Sequence, residues 1–240
     1  MSDHLTRKEL KQDKVRETLE HGAEAVASHS RLSAIIVLAI IVAGSAYLGW
    51  NYYSKHQEAQ AQSMLDEGLK IFNAPLVAAG RVVPPGELTY ADATKRAQDA
   101  EVKFIAAANA YPSTRAGRLA RYYSALCLMD LERVNQAGEE LAKLDAGPDK
   151  ELAALANYQR ALIAERSGKQ ADAVKILKDL SNANSVLVPK PLVMLELAGV
   201  LKTTEPAEAQ KLYEQLKKDY PNSRFVEEAD RGLQSIAPKS

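Results

Sequence analysis

Between Arg31 and Lys55 no residue carries a charge, and the stretch LSAIIVLAIIVAGSAYLGWNYYS is apolar all round rather than along one stripe. About 20 consecutive apolar residues carry a helix across the hydrocarbon core of a bilayer. Residues 32–53 therefore read as a transmembrane helix. Tyr47, Trp50, Tyr52 and Tyr53 gather at one end of it, where amphipathic rings meet headgroups. The pattern then changes to alternating apolar and polar faces. Residues 56–72 read as a helix continuing from the span. Pro75, Pro84, Pro85, Gly80 and Gly86 make 73–88 a loop. Thr89, with Asp92 three residues on, reads as the N-cap of the next helix.

From there one pattern recurs. AEVKFIAAANAYP begins at Ala100, and AQKLYEQLKKDYP begins 109 residues later at Ala209. In the first, Ala100 is followed by Phe104, Ala107 and Pro112; in the second, Ala209 by Tyr213, Leu216 and Pro221. Two weaker copies lie between them: Ala137 with Leu141 and Leu144, and Ala173 with Leu177 and Leu180. The four alanines step by 37, 36 and 36 residues. Offsets of 0, +4 and +7 fall on one face of a helix. An upstream small residue, Ala125, Ala161 or Ala198, precedes the last three alanines by twelve, twelve and eleven positions, so one position is deleted near KTTEPAEA. Short polar turns, DLERVN, RSGKQ and KTTEP, separate the two helices of each pair. The unit is a helical hairpin that buries its apolar face only by stacking on the next. RFVEEADRGLQSI reads as a closing helix.

This pattern resembles the tetratricopeptide repeat, with its small residue in the first helix and its Ala, aromatic, Ala and Pro in the second. The match is full at 100–112 and nearly so at 209–221; the middle copies lose the aromatic and the Pro. The resemblance implies an all-α fold: a single transmembrane helix followed by a tetratricopeptide-repeat α-solenoid over 56–236. That solenoid would have about four hairpins, a C-terminal capping helix and the 73–88 loop inserted in the first hairpin. Ala100, Phe104, Ala125, Ala137, Ala161, Ala173, Ala198, Ala209 and Tyr213 are then the repeat-packing residues. The family's concave groove falls on Leu119, Tyr122, Leu126 and Met129, then on Leu155, Tyr158, Leu162 and Glu165, then on Leu192 and Leu195. Leu, Met and Tyr offer area and hydroxyls to an extended or helical segment of a protein partner, or else pack against each other and the flanking loop. The groove lacks the Lys and Asn residues with which some family members grip a C-terminal carboxylate.

Charge and composition narrow the function. Lys plus Arg number 31 and Asp plus Glu 31, and the 1–31 tail is itself balanced, so no field attracts nucleic acid. In the tail, Thr6 and Glu9 have capping-box spacing, and Val15, Leu19, Ala23 and Val26 share a face. It reads as an amphipathic cytoplasmic segment: an interfacial helix, a helix that pairs with a partner, or a solvated extension of the anchor. Lys14, Arg16 and Arg31 before the span outnumber Lys55 and Lys70 after it, which places the tail in the cytoplasm. Gly44-Ser45-Ala46 would suit a signal peptidase, but the long, acid-balanced segment ahead of the span favours an uncleaved anchor.

Catalytic chemistry finds few residues. The histidines are His4, His21, His29 and His56, so the chain beyond position 56 lacks the commonest general base and metal ligand. No phosphate-binding Gly loop or metal spacing occurs. No catalytic, cofactor or metal site is expected. The one cysteine, Cys127, lies in the apolar run YYSALCLM and reads as a small buried hydrophobe. Glu139-Glu140, Glu227-Glu228 and Asp230 read as solvated acids, and Arg115, Arg118 and Arg121 as an exposed basic face, with an acidic partner as the alternative.

A short tail, one membrane helix and repeats of the YPSTRAG and YPNSRFV type resemble the YfgM-like ancillary subunits of the bacterial Sec translocon. The resemblance implies a bacterial inner-membrane protein, single-pass, with its N-terminus cytoplasmic and its repeats periplasmic. It also implies a non-catalytic scaffold whose partners are translocon subunits, periplasmic chaperones or nascent exported chains. An envelope-assembly or cell-division factor of the same repeat class is the alternative; an enzyme subunit is the remaining class.

Overall fold

The computed structural model describes residues 30–77 and 86–236. The tail, with its Thr6–Glu9 capping box, and the middle of the 73–88 loop lie outside the described residues. Among the described residues the secondary structure is nine α-helices and one isolated parallel bridge, Leu76 to Tyr90. The chain divides into two compact units, Met1–His56 and Gln57–Ser240.

In the first unit lies the start of helix α1 (Ser30–Phe72). Ile36, Leu38, Ile41 and Leu48 are all more than half exposed there, and none of the apolar window is covered by protein. A helix apolar all round needs an apolar medium. Length and composition thus make it a candidate membrane anchor.

The second unit is a series of helices: α2 (Ala93–Ala110), α3 (Arg115–Asp130), α4 (Val134–Ala142), α5 (Lys150–Arg166), α6 (Gln170–Ser181), α7 (Lys190–Leu201), α8 (Pro206–Asp219) and α9 (Val226–Ile236). Each packs against the next along the chain; in addition α3 lies beside α5, and α7 beside α9. The short connections make neighbours run antiparallel. The apolar side chains form three clusters in chain order. The first joins Ala61 and Leu65 of α1 to Ala100 and Phe104 of α2 and Cys127 of α3. The second holds Ala125, Ala137, Leu141 and Leu144. The third holds Ala161, Ala173, Leu177, Ala198, Ala209 and Tyr213. These alanines are buried; with only a methyl group each, they let helix axes approach closely. Phe104 fills the first cluster, stacked on Tyr123 at 5.3 Å between centroids. A Cβ on Gly68 would collide with the Phe104 ring, and one on Gly232 with the Tyr213 ring. The two aromatics of the outer copies each press on a glycine.

The turns carry the repeat as clearly as the core does. Tyr111 ends α2 at φ −132°, ψ 54°, and Tyr220 ends α8 at φ −131°, ψ 56°. Their amides bond back to Ala107 and Leu216, and their carbonyls accept from Thr114 and Ser223. Where the Tyr-Pro pair is missing, the helix ends differently: Lys143 and Asn182 stay in the right-handed helical region. Within hairpins, the α3–α4 and α5–α6 turns match bond for bond. Arg133 N donates to Leu128 O and Lys169 N to Ala164 O, both at 2.8 Å, across one left-handed residue, Glu132 or Gly168. In the α7–α8 turn Glu205 N reaches Leu201 O, one position closer. The deletion thus removes the left-handed residue of the turn.

Polar groups pin the ends of the first helices. Glu58 of α1 accepts the Arg115 and Ala116 amides, each at 2.8 Å, satisfying donors at the start of α3 that the helix itself leaves free. Glu151 of α5 does the same ahead of α7, accepting Ser185 Oγ at 2.7 Å and the Val186 and Leu187 amides at 3.1 and 3.0 Å.

Three readings of the sequence are corrected. The N-cap of α2 is Asp92, which accepts Thr94 N at 2.8 Å, not Thr89. The chain ahead of Asp92 is instead taken into the bridge, with Val77 N donating to Tyr90 O and Tyr90 N to Pro75 O. Arg121 is not part of an exposed basic face: it is 8 % exposed and bonds to Glu140, to Ala108 O at 3.0 Å and to Asn109 Oδ1 at 3.2 Å. Glu140 is correspondingly not a freely solvated acid. It pairs with Arg121 and, at 2.6 Å, with Lys143.

Candidate functional site

The row of Leu, Met and Tyr picked out by the repeat spacing lies on the first helices of successive hairpins, α3, α5 and α7. Its members differ in how far they are committed to packing. Leu119, Tyr122 and Met129 pack on the second cluster, and Leu155 and Tyr158 on the third. Leu195 is buried within the third cluster at 8 % exposure. Leu126, Leu162 and Leu192 are half-buried and belong to none of the three clusters. Leu126 and Leu162 hold the same place one period apart, and together with Leu192 they present apolar area that the core does not use. Glu165, one turn beyond Leu162, is exposed.

The Tyr158 hydroxyl is engaged across helices: its Oη donates to Glu196 Oε1 of α7 at 2.8 Å. Gln159 of α5 and Glu196 of α7 each sit two positions before the small residue of their helix, Ala161 or Ala198. Burial pushes the Tyr122 and Tyr158 hydroxyls above the usual phenol range; at Tyr122 Gln159 works against this, and at Tyr158 the carboxylate of Glu196 adds to it. The Tyr158–Glu196 contact was not foreseen from the sequence. Its only signal there is a polar residue at the same place in two first helices, which reads as surface until the neighbouring helix is known.

A second feature is an open concavity of about 1220 Å³ on α4, α5 and α6, lined among others by Gly138, Asn157, Ala164, Lys175 and Ile176. None of the Leu, Met and Tyr row lines it. Its polar floor is internally satisfied: Asn157 Nδ2 donates to Asp145 Oδ1 at 2.7 Å, and Arg160 donates to Asn157 Oδ1 at 2.8 Å. The walls carry both signs of charge, with Lys169 and Lys175 near Asp172 and Asp179.

Cys127 is fully buried, and burial pushes its thiol up to about 12. Burial of this kind disfavours the thiolate, the form that acts as nucleophile or ligand. Among the described residues no group of three His, Cys, Asp or Glu side chains is placed to hold a metal ion. The chain matches no known family model, no curated protein and no solved structure.

Proposed function

We propose that the chain is a membrane-anchored scaffold of the tetratricopeptide type, without catalytic activity, that binds protein partners along the face of α3, α5 and α7. The observation that carries this reading is the Tyr111 and Tyr220 pair: two helix ends of the same backbone geometry, 109 residues apart, each followed by the same turn. Serial packing of helix pairs supports the same reading, since a repeat array buries its core only between neighbours. α3 lies beside α5 and α7 beside α9, and the Tyr158–Glu196 bond reaches from α5 to α7. Leu126 and Leu162 on α3 and α5, and Leu192 on α7, are apolar side chains left over from core packing.

The candidate anchor, the basic bias toward the tail and the layout of tail, span and repeats support an inner-membrane protein with its repeats in the periplasm. There the partners would be translocon subunits, periplasmic chaperones or nascent exported chains. Photo-crosslinkers placed at Leu126 and Leu162 in living cells test this. Recovery of translocon subunits, chaperones or exported chains is the expected result. Recovery of outer-membrane assembly, division or peptidoglycan proteins instead would move the chain to envelope assembly. Crosslinks confined to lipid, or none, would remove the binding face. A periplasm-sensitive reporter fused to the C-terminus should be active; an inactive one reverses the topology.

A further inference from the structure

Four charged side chains run along the outer face of α6. Lys169 opens the helix, and Asp172, Lys175 and Asp179 follow at steps of three, three and four residues, which keep to one face. All four are exposed, and all four line the open concavity on α4, α5 and α6. Neighbours of opposite sign stand three or four positions apart, the spacing at which Lys95 and Asp99 close to 2.6 Å. Yet among the described residues none of the four forms an ion pair. Their signs run plus, minus, plus, minus, and an antiparallel copy of the same helix is the complement of that order. Against a second α6, Lys169 meets Asp179 and Asp172 meets Lys175, and every pairing is centred at or just before Val174. The same centre sets the exposed Ala171 opposite the half-buried Ile176, a small side chain facing a large one. The pattern is not a property of the repeat. The matching positions around α4 are Arg133, Gln136, Glu139 and Lys143, whose two ends would repel. Around α8 they are Glu205, Glu208, Lys211 and Gln215, whose outer pair lacks a cation.

We propose that the outer face of α6 binds a second copy of this chain, the two α6 helices lying antiparallel across a two-fold axis at Val174. A two-fold contact uses the same patch on both copies, so each ion pair occurs twice. The signs also fix the direction: a parallel copy would set like charge against like at every position. One helix pair is a small contact beside the roughly 800 Å² per partner of a stable complex in solution. Pairing therefore depends on confinement. Copies held by the candidate anchor meet in one membrane plane, where their effective concentration is raised. None of the Leu, Met and Tyr row lines the concavity, so the pairing does not use the face proposed for protein partners and does not depend on it.

The test is a charge swap. Full-length chains labelled at the C-terminus with a donor or an acceptor dye are reconstituted together in phosphatidylcholine vesicles, and pairing is read by energy transfer as lipid dilutes the protein. The swapped chain carries Lys169→Asp, Asp172→Lys, Lys175→Asp and Asp179→Lys. All four sites are exposed, so its helicity and melting should match wild type. Wild type should pair with wild type, and swapped chain with swapped chain, to the same extent. Wild type mixed with swapped chain, with like charges opposed throughout, should pair about tenfold more weakly or worse. Raised salt should weaken the matched pairs. If the swapped chain folds poorly, two milder variants replace it. Asp172→Lys with Asp179→Lys leaves only positive charge on the face, and Lys169→Asp with Lys175→Asp only negative; each should fail to pair with itself and should pair when the two are mixed. Equal transfer in matched and mismatched mixtures would put the association in the membrane span or on another face. Transfer no greater than that between unlinked labelled lipids would leave the chain unpaired. Either result overturns the proposal.

Discussion

Glu132, at φ 58°, occupies the place in the α3–α4 turn that Gly168, at φ 72°, occupies in the α5–α6 turn. The bonds around them are the same, with the following amide closing on Leu128 O or Ala164 O at 2.8 Å. The left-handed region costs a side-chain-bearing residue about 1 kcal/mol or more, and glycine is the usual residue at this position of a helix end. Glu132→Gly is therefore expected to stabilise the fold by about 0.5–1 kcal/mol, and Gly168→Ala to destabilise it by about 1 kcal/mol. The urea midpoint should move in those opposite directions with an unchanged slope. A lower midpoint for Glu132→Gly would show that the turn does not hold the residue in this conformation.

Arg121 ties three elements at once: it reaches the end of α2 through Ala108 O and Asn109, and α4 through Glu140. Replacing it with Lys keeps the charge and loses the fork of donors that makes these bonds together. Because the loss leaves Glu140 and the Ala108 carbonyl undersatisfied in a largely buried place, Arg121→Lys should cost about 2–3 kcal/mol. Burial pushes the Glu140 carboxyl up, but the bonds from Lys143 and Arg121 outweigh it and hold the group below its usual value. Its contribution is present above the unfolded value and is lost as pH falls through the folded one. Acid unfolding of Arg121→Lys, followed by circular dichroism, should begin at higher pH than in wild type.

These two sites mark the line between what the sequence discloses and what it conceals. Offsets of 0, +4 and +7 report which side of a helix is buried, because the helix period alone sets them. Ala100, Phe104 and Ala107 are accordingly all buried, as are Ala209, Tyr213 and Leu216. The eleven-residue spacing from Ala198 to Ala209 likewise contains the shortened turn. Polar residues carry no such signal. Arg121 looks like its exposed neighbour Arg115, and Glu140 like the exposed Glu139, until α2 and α4 are brought beside α3. Gln159 and Glu196 read as surface for the same reason. Thr89 and Asp92 are both capping residue types, and the choice between them falls to Tyr90, whose pairing with the chain at Pro75–Val77 holds the backbone extended just before Asp92.

Glu151 makes the loop ahead of α7 a local test. Val186 and Leu187 are exposed, at 84 % and 55 %, yet their amides are held on the Glu151 carboxylate. The Leu187 amide, the Ser185 hydroxyl and the Val186 amide hold that carboxyl below its usual value. Glu151→Gln leaves one acceptor oxygen where two are used. Hydrogen exchange at Val186 and Leu187 should accelerate by about tenfold, the equivalent of about 1.4 kcal/mol. Exchange in α2 should not change. Equal acceleration in both places would mean that Glu151 supports the whole unit rather than the loop.

Gly117 and Gly138 separate two reasons for a glycine within a helix. A Cβ at Gly117 would stand 1.9 Å from Tyr111 O and 2.9 Å from Thr114 Oγ1. The carbonyl is main chain, fixed by the Thr114 amide at 3.2 Å and the Thr114 hydroxyl at 2.8 Å, so it has nowhere to go. Gly117→Ala should therefore open the α2–α3 turn at a cost of about 3 kcal/mol. A Cβ at Gly138 meets nothing within 4 Å. There the glycine only adds chain entropy to the unfolded state, and Gly138→Ala should stabilise the nine-residue α4 by about 0.5–1 kcal/mol. Denaturant midpoints measured on the two variants and on wild type check both signs. If both variants shifted the same way, the packing of Tyr111 against the start of α3 would not be what fixes the first turn.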